Sequence, residues 1–482
     1  MVRLLIVDNK TKGSQLVARI LAHKLQSNPS SVFGFATGSS PIDIYKQLSS
    51  WTLDGKLDWS LATSFNLDEY IGLDKDDPNS YHKFMHENLF DNINLRSINL
   101  LNGTSQDLEE EAQSYERKIQ DKMIDIQLLG IGENAHIGFN EPSSSFQSRT
   151  RVVELTPSTL NANQKYFEGE DQPTRAITMG LGTILESKEI ILVAWGKEKS
   201  NAVEKSILFN RNINYPASCL LTHSNCQFII DREAARDIPL KNKLIFSMYN
   251  SICWRNEQSY KILVFSPHQD DDVIAMGATM NMLRQLNHSV GVAYQTSGFN
   301  GIPTIPKEKA KFVRKVEAIN ALSKLNIDQA FFLDSNFYEN GEHEIQEDIN
   351  SHIVLIEEQK PDVIFCCGDF NDPHGTHKKC TTILLEALKE SRHIPREIWL
   401  YKGAWENYSI TEVDLVIPFD EPTQIIKTKS ILEHVSQLNP VYKGSDDRQF
   451  WKRAEERCKN NADLINVQLD TCLKYVEMFQ HL

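Results

Sequence analysis

No apolar run in this chain approaches the ~20 residues that a bilayer-spanning helix needs, so a membrane-spanning protein is not expected. Cysteine pairs at CxxC spacing are missing as well. Cys219, Cys226, Cys253, Cys366, Cys367, Cys380, Cys458 and Cys472 are diluted over 482 residues, which argues against a disulfide framework or a cysteine zinc site and for reduced thiols in the cytosol. Positive charge is in deficit: the formal charge is -14. No basic patch offsets it, so neither nucleic acid nor an anionic membrane is an expected partner. Internal repeats and low-complexity tracts are absent too. The opening run, Met1 to Asp8, is too short for a secretory signal and reads as a first strand.

What is present is length enough for more than one hydrophobic core and a rhythm of short apolar runs bounded by turn residues. Leu4 to Val7, Val32 to Ala36, Thr63 to Leu67, Ile126 to Leu129, Ile190 to Ala194 and Phe228 to Ile230 form one series. Ile262 to Phe265, Val290 to Tyr294, Ala330 to Leu333 and Val363 to Cys366 form another. Helical patterns lie between the runs, which predicts βαβ units. The expected fold class is α/β, with two doubly wound, Rossmann-like three-layer domains built on mainly parallel sheets. The expected domains are residues 1–245 and 260–482, with 246–259 as a linker or docking helix.

Thr37-Gly38-Ser39-Ser40-Pro41 follows the second run and opens a predicted helix with Pro41 at its first position. Small residues entering a helix expose backbone N–H groups and the positive end of the helix dipole, which suits a phosphate. Taken alone, the same turn is equally an N-cap without a ligand. Asp68-Glu69 lies at the next strand end, where α/β sheets bind ligands. A carboxylate there can act as a base, or merely cap a helix. In Gly130-Ile131-Gly132-Glu133-Asn134-Ala135-His136-Ile137-Gly138-Phe139-Asn140-Glu141-Pro142, Gly130 and Gly132 let the backbone approach a ligand. His136 with Glu141 forms a couple suited to proton transfer near neutrality.

In order and spacing, TGSSP, FNLDEYIGL, SYHKFM, INLLNG, GIGENAHIGFNEP and SRTR make residues 1–240 closely similar to the glucosamine-6-phosphate deaminase family. The resemblance implies reversible conversion of glucosamine 6-phosphate to fructose 6-phosphate and ammonia, with no metal or organic cofactor in this domain. It implies that Asp68 moves the proton between C2 and C1, and that His136, held by Glu141 and Asn134, opens the pyranose ring. Thr37, Gly38, Ser39, Ser40, Lys165 and Lys199 would hold the phosphate. A homo-oligomer is also implied. Asn134 stands where the family often has aspartate, and Lys165 where an arginine is expected, exchanging a bidentate fork for a point charge. Val153 and Glu154 replace a basic residue and a threonine of allosteric members, so activation by an acetylated sugar phosphate is not expected.

The second series carries its own cluster. Ser266-Pro267-His268-Gln269-Asp270-Asp271-Asp272 follows one run, and Asp369-Phe370-Asn371-Asp372-Pro373-His374-Gly375-Thr376-His377 follows another. Two histidines and one aspartate with a position left open is the arrangement of a catalytic zinc site. Residues 260–482 resemble the LmbE/PIG-L family of zinc-dependent sugar de-N-acetylases, with Gly277, Arg314, Glu317 and Pro361-Asp362 at fitting intervals. This implies that His268, Asp271 and His377 bind zinc, that Asp270 is the general base, and that His374 stabilises the oxyanion or protonates the amine. Gln269 and Thr376 replace a usual proline and a common aspartate. The fusion suggests loss of acetate from N-acetylglucosamine 6-phosphate in the second domain, followed by loss of ammonia in the first. The competing reading is a sugar-phosphate sensor without turnover, prompted by Asn134 and Lys165, joined to a deacetylase for an unrelated sugar.

Overall fold

The computed structural model describes residues 2–164, 167, 172–250, 259–341, 345–370, 375–403, 406–438 and 449–482. It divides into two compact units, Met1–Asn242 and Lys243–Leu482.

The first unit contains β1 (Arg3–Val7), β2 (Val32–Phe35), β3 (Thr63–Asn66), β4 (Asp68–Tyr70), β5 (Ser97–Asn99), β6 (Ile126–Leu129), β7 (Arg151–Glu154), β8 (Arg175–Thr178), β9 (Ile190–Ala194) and β10 (Cys226–Asp231). Seven of these form a parallel sheet in the order β1-β10-β9-β6-β2-β3-β5. Every residue of β2, β6 and β9 is buried. A sheet covered on both faces has no solvent side, so its strands read as continuous apolar runs and not as alternation. From β2 the chain moves outward through β3 to β5, then returns to β6 on the other side of β2. The order reverses between β2 and β6, which places a crevice beyond the carboxyl ends of those strands.

A smaller antiparallel sheet, β4-β8-β7, sets both Asp68 and Arg151 in register with Thr178. Its strands, and β5, are absent from the expected series. They are three or four residues long and carry Asp68, Glu69, Arg151, Glu154 and Arg175, a composition that intrinsic strand preference argues against.

The second unit holds β11 (Lys261–Ser266), β12 (Ser289–Tyr294), β13 (Gln329–Phe332), β14 (Val363–Cys367), β15 (Glu397–Tyr401), β16 (Leu415–Phe419) and β17 (Tyr475–His481), in the order β13-β12-β11-β14-β15-β17-β16. The first five strands in that order are parallel, and β17 runs antiparallel to both β15 and β16. The sheet is therefore mixed at one edge. Here the order reverses between β11 and β14.

The boundary falls between Asn242 and Lys243, inside the helix Leu240–Asn250. Ser247 Oγ donates to Val413 O at 3.2 Å and Asn250 Nδ2 to Asp414 O at 3.0 Å, so residues 246–250 of the expected linker are helical and tied to the second unit. Residues 251–258 lie outside the described residues.

Candidate active site and candidate metal centre

Between β2 and the helix Ile42–Leu53 the chain turns through Thr37 to Ser40. Gly38 has φ of 87°, a left-handed conformation that favours glycine, and faces open space. The turn is held by its carbonyls: Lys10 Nζ donates to Ser39 O at 3.2 Å, and Trp195 Nε1 donates to Ser40 O at 3.0 Å. Pro41 occupies the N-cap, one place before the first helical position expected of it. Beyond β9, Gly196 at φ 87° gives its N–H to Asp231 and opens the short turn Lys197–Lys199. The Trp195 bond thus joins the segment leading to Lys199 with the Thr37–Ser40 turn.

Asp68 follows β3 by one residue and begins β4, so it leaves the large sheet at its carboxyl edge. It is buried. Burial, reinforced by the neighbouring Glu69 charge, pushes its carboxyl up to about 8, although the Thr37 hydroxyl donates to it. That hydrogen bond connects the turn with the acid. Asp68 Oδ1 is buried without a partner among the described residues. Glu69 has a different task. It accepts N–H groups from Tyr70, Tyr81 and His82 at 2.8, 2.9 and 2.7 Å, and so holds the start of the helix Tyr81–Asn88. Burial raises it to about 7 despite those donors.

The loop after β6 reaches the same edge. A Cβ built on Gly138 would stand 3.5 Å from Asp68 Oδ2, and one built on Gly130 would stand 4.0 Å from Ser40 Oγ. The space over Gly132 is taken by the His136 ring, which a Cβ there would meet at 2.3 Å. Gly132 therefore admits a side chain of the protein where the sequence suggested close approach to a ligand. His136 Nδ1 stands 3.5 Å from Glu141 Oε2. The same oxygen accepts from Asn134 Nδ2 at 2.7 Å, and Glu141 Oε1 accepts from the Thr159 hydroxyl. Burial opposes the Glu141 charge, but His136, Thr159 and Asn134 outweigh it and hold the carboxyl at about 2. A fixed carboxylate beside an imidazole orients the ring and its tautomer.

In the second unit, His268 lies in the loop after β11, Asp271 at the first turn of the helix Asp271–Gln285, and His377 at the start of the helix Thr376–Glu390. Asp271 Oδ2 is 3.1 Å from both His268 Nδ1 and His377 Nε2, and the two ring nitrogens are 3.3 Å apart. Donor atoms bonded at ~2.0–2.1 Å to one tetrahedral zinc lie about 3.3 Å from one another, so this triangle fits one face of such a site. Burial disfavours an imidazolium at His377, yet Asp271 and Asp369 outweigh it and raise its pKa, the response of a place built for positive charge. Asp369 Oδ2 faces the other nitrogen, His377 Nδ1, at 3.3 Å. Carboxylates commonly orient metal-binding histidines in this way.

The three consecutive acids separate. Asp270 Oδ1 accepts from Arg314 Nη2 at 2.9 Å. Burial works against its charge, but Arg314 prevails and keeps it below the usual carboxylate range. Asp272 is buried beside Tyr294 Oη, which donates to it at 3.2 Å, and burial raises its pKa. It stands outside the ligand triangle. His374 and Lys165 lie outside the described residues.

Residues 10–229 match the family model described as glucosamine-6-phosphate isomerases/6-phosphogluconolactonase, and residues 263–388 match that of GlcNAc-PI de-N-acetylase. Over 241 residues the chain is 44% identical to the glucosamine-6-phosphate deaminase of Thermoanaerobacter sp. (strain X514), covering 49% of this chain and 95% of that protein. The chain belongs to the glucosamine-6-phosphate isomerase/6-phosphogluconolactonase family. Identity to the glucosamine-6-phosphate deaminase of Clostridium botulinum (strain Loch Maree / Type A3) is 45% over 244 residues, covering 50% of this chain and 100% of that one. A solved monomeric glucosamine-6-phosphate deaminase is 43% identical, covering 49% of this chain and 99% of its own, with a TM-score of 0.47. These relatives account for the isomerase-family unit alone.

Sequence reasoning missed Thr159 as a partner of Glu141, and Asp369 as the support of His377. Each contact closes only in three dimensions. For Thr159, in the helix Pro157–Asn163, the sequence offers no signal. Asp369 sits at the end of β14, the position that marked Asp68.

Proposed function

We propose that the isomerase-family unit converts glucosamine 6-phosphate to fructose 6-phosphate and ammonia. The observation that carries this reading is the convergence of the Thr37–Ser40 turn, Asp68 and the His136–Glu141 couple at the reversal between β2 and β6. The turn receives the phosphate, with Lys199 and Lys165 as its cations. His136 protonates and deprotonates the ring oxygen during opening, oriented by Glu141, Asn134 and Thr159. Asp68 then removes the proton from C2 and returns it to C1, which leaves an imine at C2; water adds to that carbon and ammonia departs, leaving the ketone oxygen of fructose 6-phosphate. A buried carboxylate with its pKa near 8 is a stronger base than an ordinary aspartate. It is also fixed within reach of both carbons, where placement supplies much of the rate.

In the second unit, His268, Asp271 and His377 would hold a divalent ion, with zinc as the proposed metal. When bound there, such an ion supplies Lewis acidity toward an acyl oxygen. Asp270, kept ionised by Arg314, accepts the proton of an attacking water, and Asp369 fixes the His377 ring. We read this unit as an N-deacetylase, with N-acetylglucosamine 6-phosphate as its proposed substrate because its product is the substrate of the other unit. Incubating the zinc-loaded protein with that acetylated sugar phosphate tests the sequence of reactions. Acetate followed by ammonia is the expected order; ammonia from glucosamine 6-phosphate with no acetate from the acetylated sugar would break the link.

A further inference from the structure

The helix Asp271–Gln285 is broken at Met276, where φ is -140°. A regular helix would pair Ala278 N–H with Ile274 C=O. Instead Ala278 N donates to Glu477 Oε1 at 3.2 Å, and Ile274 O accepts from Arg457 Nη2 at 3.0 Å. The same guanidinium reaches the other side of the metal centre. Arg457 Nη1 donates to Gly403 O, and to Lys402 O at 3.3 Å. Gly403 in turn gives its N–H to both oxygens of Asp369, at 3.1 and 3.0 Å. Asp369 holds His377 Nδ1 at 3.3 Å. A Cβ on Gly403 would stand 2.4 Å from Asp369 Oδ2, so the close approach is open to glycine alone.

One planar cation therefore clamps the turn that carries Asp271 and the strand end that carries the support of His377. The two elements come from positions far apart in the chain, and Arg457 joins them from the helix Phe450–Leu469. A lysine at this place could not satisfy carbonyls in three directions with one fork. We infer that Arg457 is a positioning residue of the metal centre, setting the separation of Asp271 and His377 and through it the affinity for the ion. The inference rests on the reading that His268, Asp271 and His377 hold a divalent metal.

Arg457 also lines a cavity of about 260 Å³ with Tyr408, Phe450 and Asn460. A small guanidinium can thus reach the hole left by truncation, and this gives the test. The full chain, with Arg457→Ala, Arg457→Lys and Asp271→Asn variants, is stripped of metal and titrated with Zn²⁺ against a chromophoric chelator. Co²⁺ spectra report the coordination. Wild type should bind one ion that Asp271→Asn abolishes. Arg457→Ala should weaken binding about tenfold, the low end of what outer partners of metal ligands contribute, with an altered Co²⁺ spectrum. Millimolar guanidinium should restore both, and lysine should restore neither. Wild-type affinity in Arg457→Ala would overturn the inference, as would an affinity loss that guanidinium leaves unchanged. A wild-type chain that binds no ion dependent on Asp271 would instead overturn the reading beneath it.

Discussion

Asn134 Nδ2 donates to Glu141 Oε2 at 2.7 Å, the same oxygen that faces His136 Nδ1 at 3.5 Å. With Thr159 on the other carboxylate oxygen, both lone-pair sides of Glu141 are engaged before substrate arrives. Here a neutral amide supplies orientation without a second negative charge, and the Glu141 charge is left to face His136.

This arrangement makes Thr159 a positioning residue. Thr159→Val keeps the shape and removes the donor, so kcat should fall by a part of the ~10²–10⁴-fold that a general acid–base group supplies, with KM nearly unchanged. Thr159→Ser should recover most of the loss. Steady-state kinetics on glucosamine 6-phosphate read both effects; equal losses in the two variants would assign Thr159 to packing alone.

His136, Thr159 and Asn134 hold the Glu141 carboxyl at about 2 in the folded chain, below its ordinary 4.5. A depressed acid contributes stability that is present above about 4.5 and lost as pH falls toward 2. Glu141→Gln should therefore lower Tm at neutral pH, and the gap to wild type should close on acidification. Thermal melts between pH 7 and pH 3 measure it, and a gap that stays constant would contradict the assignment.

Asp68 has the opposite sign. Burial pushes it up to about 8, above the ordinary 3.8, so the native state binds the extra proton and stability falls as pH rises toward 8. Asp68→Asn removes that loss. The variant should gain in Tm over wild type as pH is raised from 4 to 8.5, while catalysis disappears. A base that stabilises the fold when neutralised is the trade expected where function needs a buried charge.

Gly132→Ala places a methyl 2.3 to 2.5 Å from the His136 ring. The ring must shift, which disturbs its 3.5 Å approach to Glu141, and overpacking of this kind costs about 1–3 kcal/mol. Activity should fall more than stability. Gly55→Ala, just past the helix Ile42–Leu53, serves as the comparison, because its Cβ meets open space and only its φ of 70° is strained. Activity in Gly132→Ala equal to that in Gly55→Ala would refute the ring displacement.

The central strands were legible because a sheet covered on both faces writes itself as apolar runs, such as Ile190–Ala194. The turn, the acid and the His–Glu couple were legible because each follows such a run at its carboxyl end. β5, β15, β16 and β17 were not. β16 contains Pro418, which argues against a strand in any local reading. β17 carries Glu477, whose burial makes sense beside Lys427 Nζ at 2.6 Å, fifty positions away, and the N–H groups of Ala278 and Thr279. The supports of both sites share this property. Thr159, Asp369 and Arg457 act through contacts that the fold closes, and no spacing in the chain announces them.

The account stands on Asp68 and His136 acting on one sugar. Fructose 6-phosphate and ammonia, measured together from glucosamine 6-phosphate with chelator present, test it most directly. Equimolar products that vanish in Asp68→Asn are the predicted result. A folded wild-type chain that binds the sugar phosphate and releases neither product would contradict it.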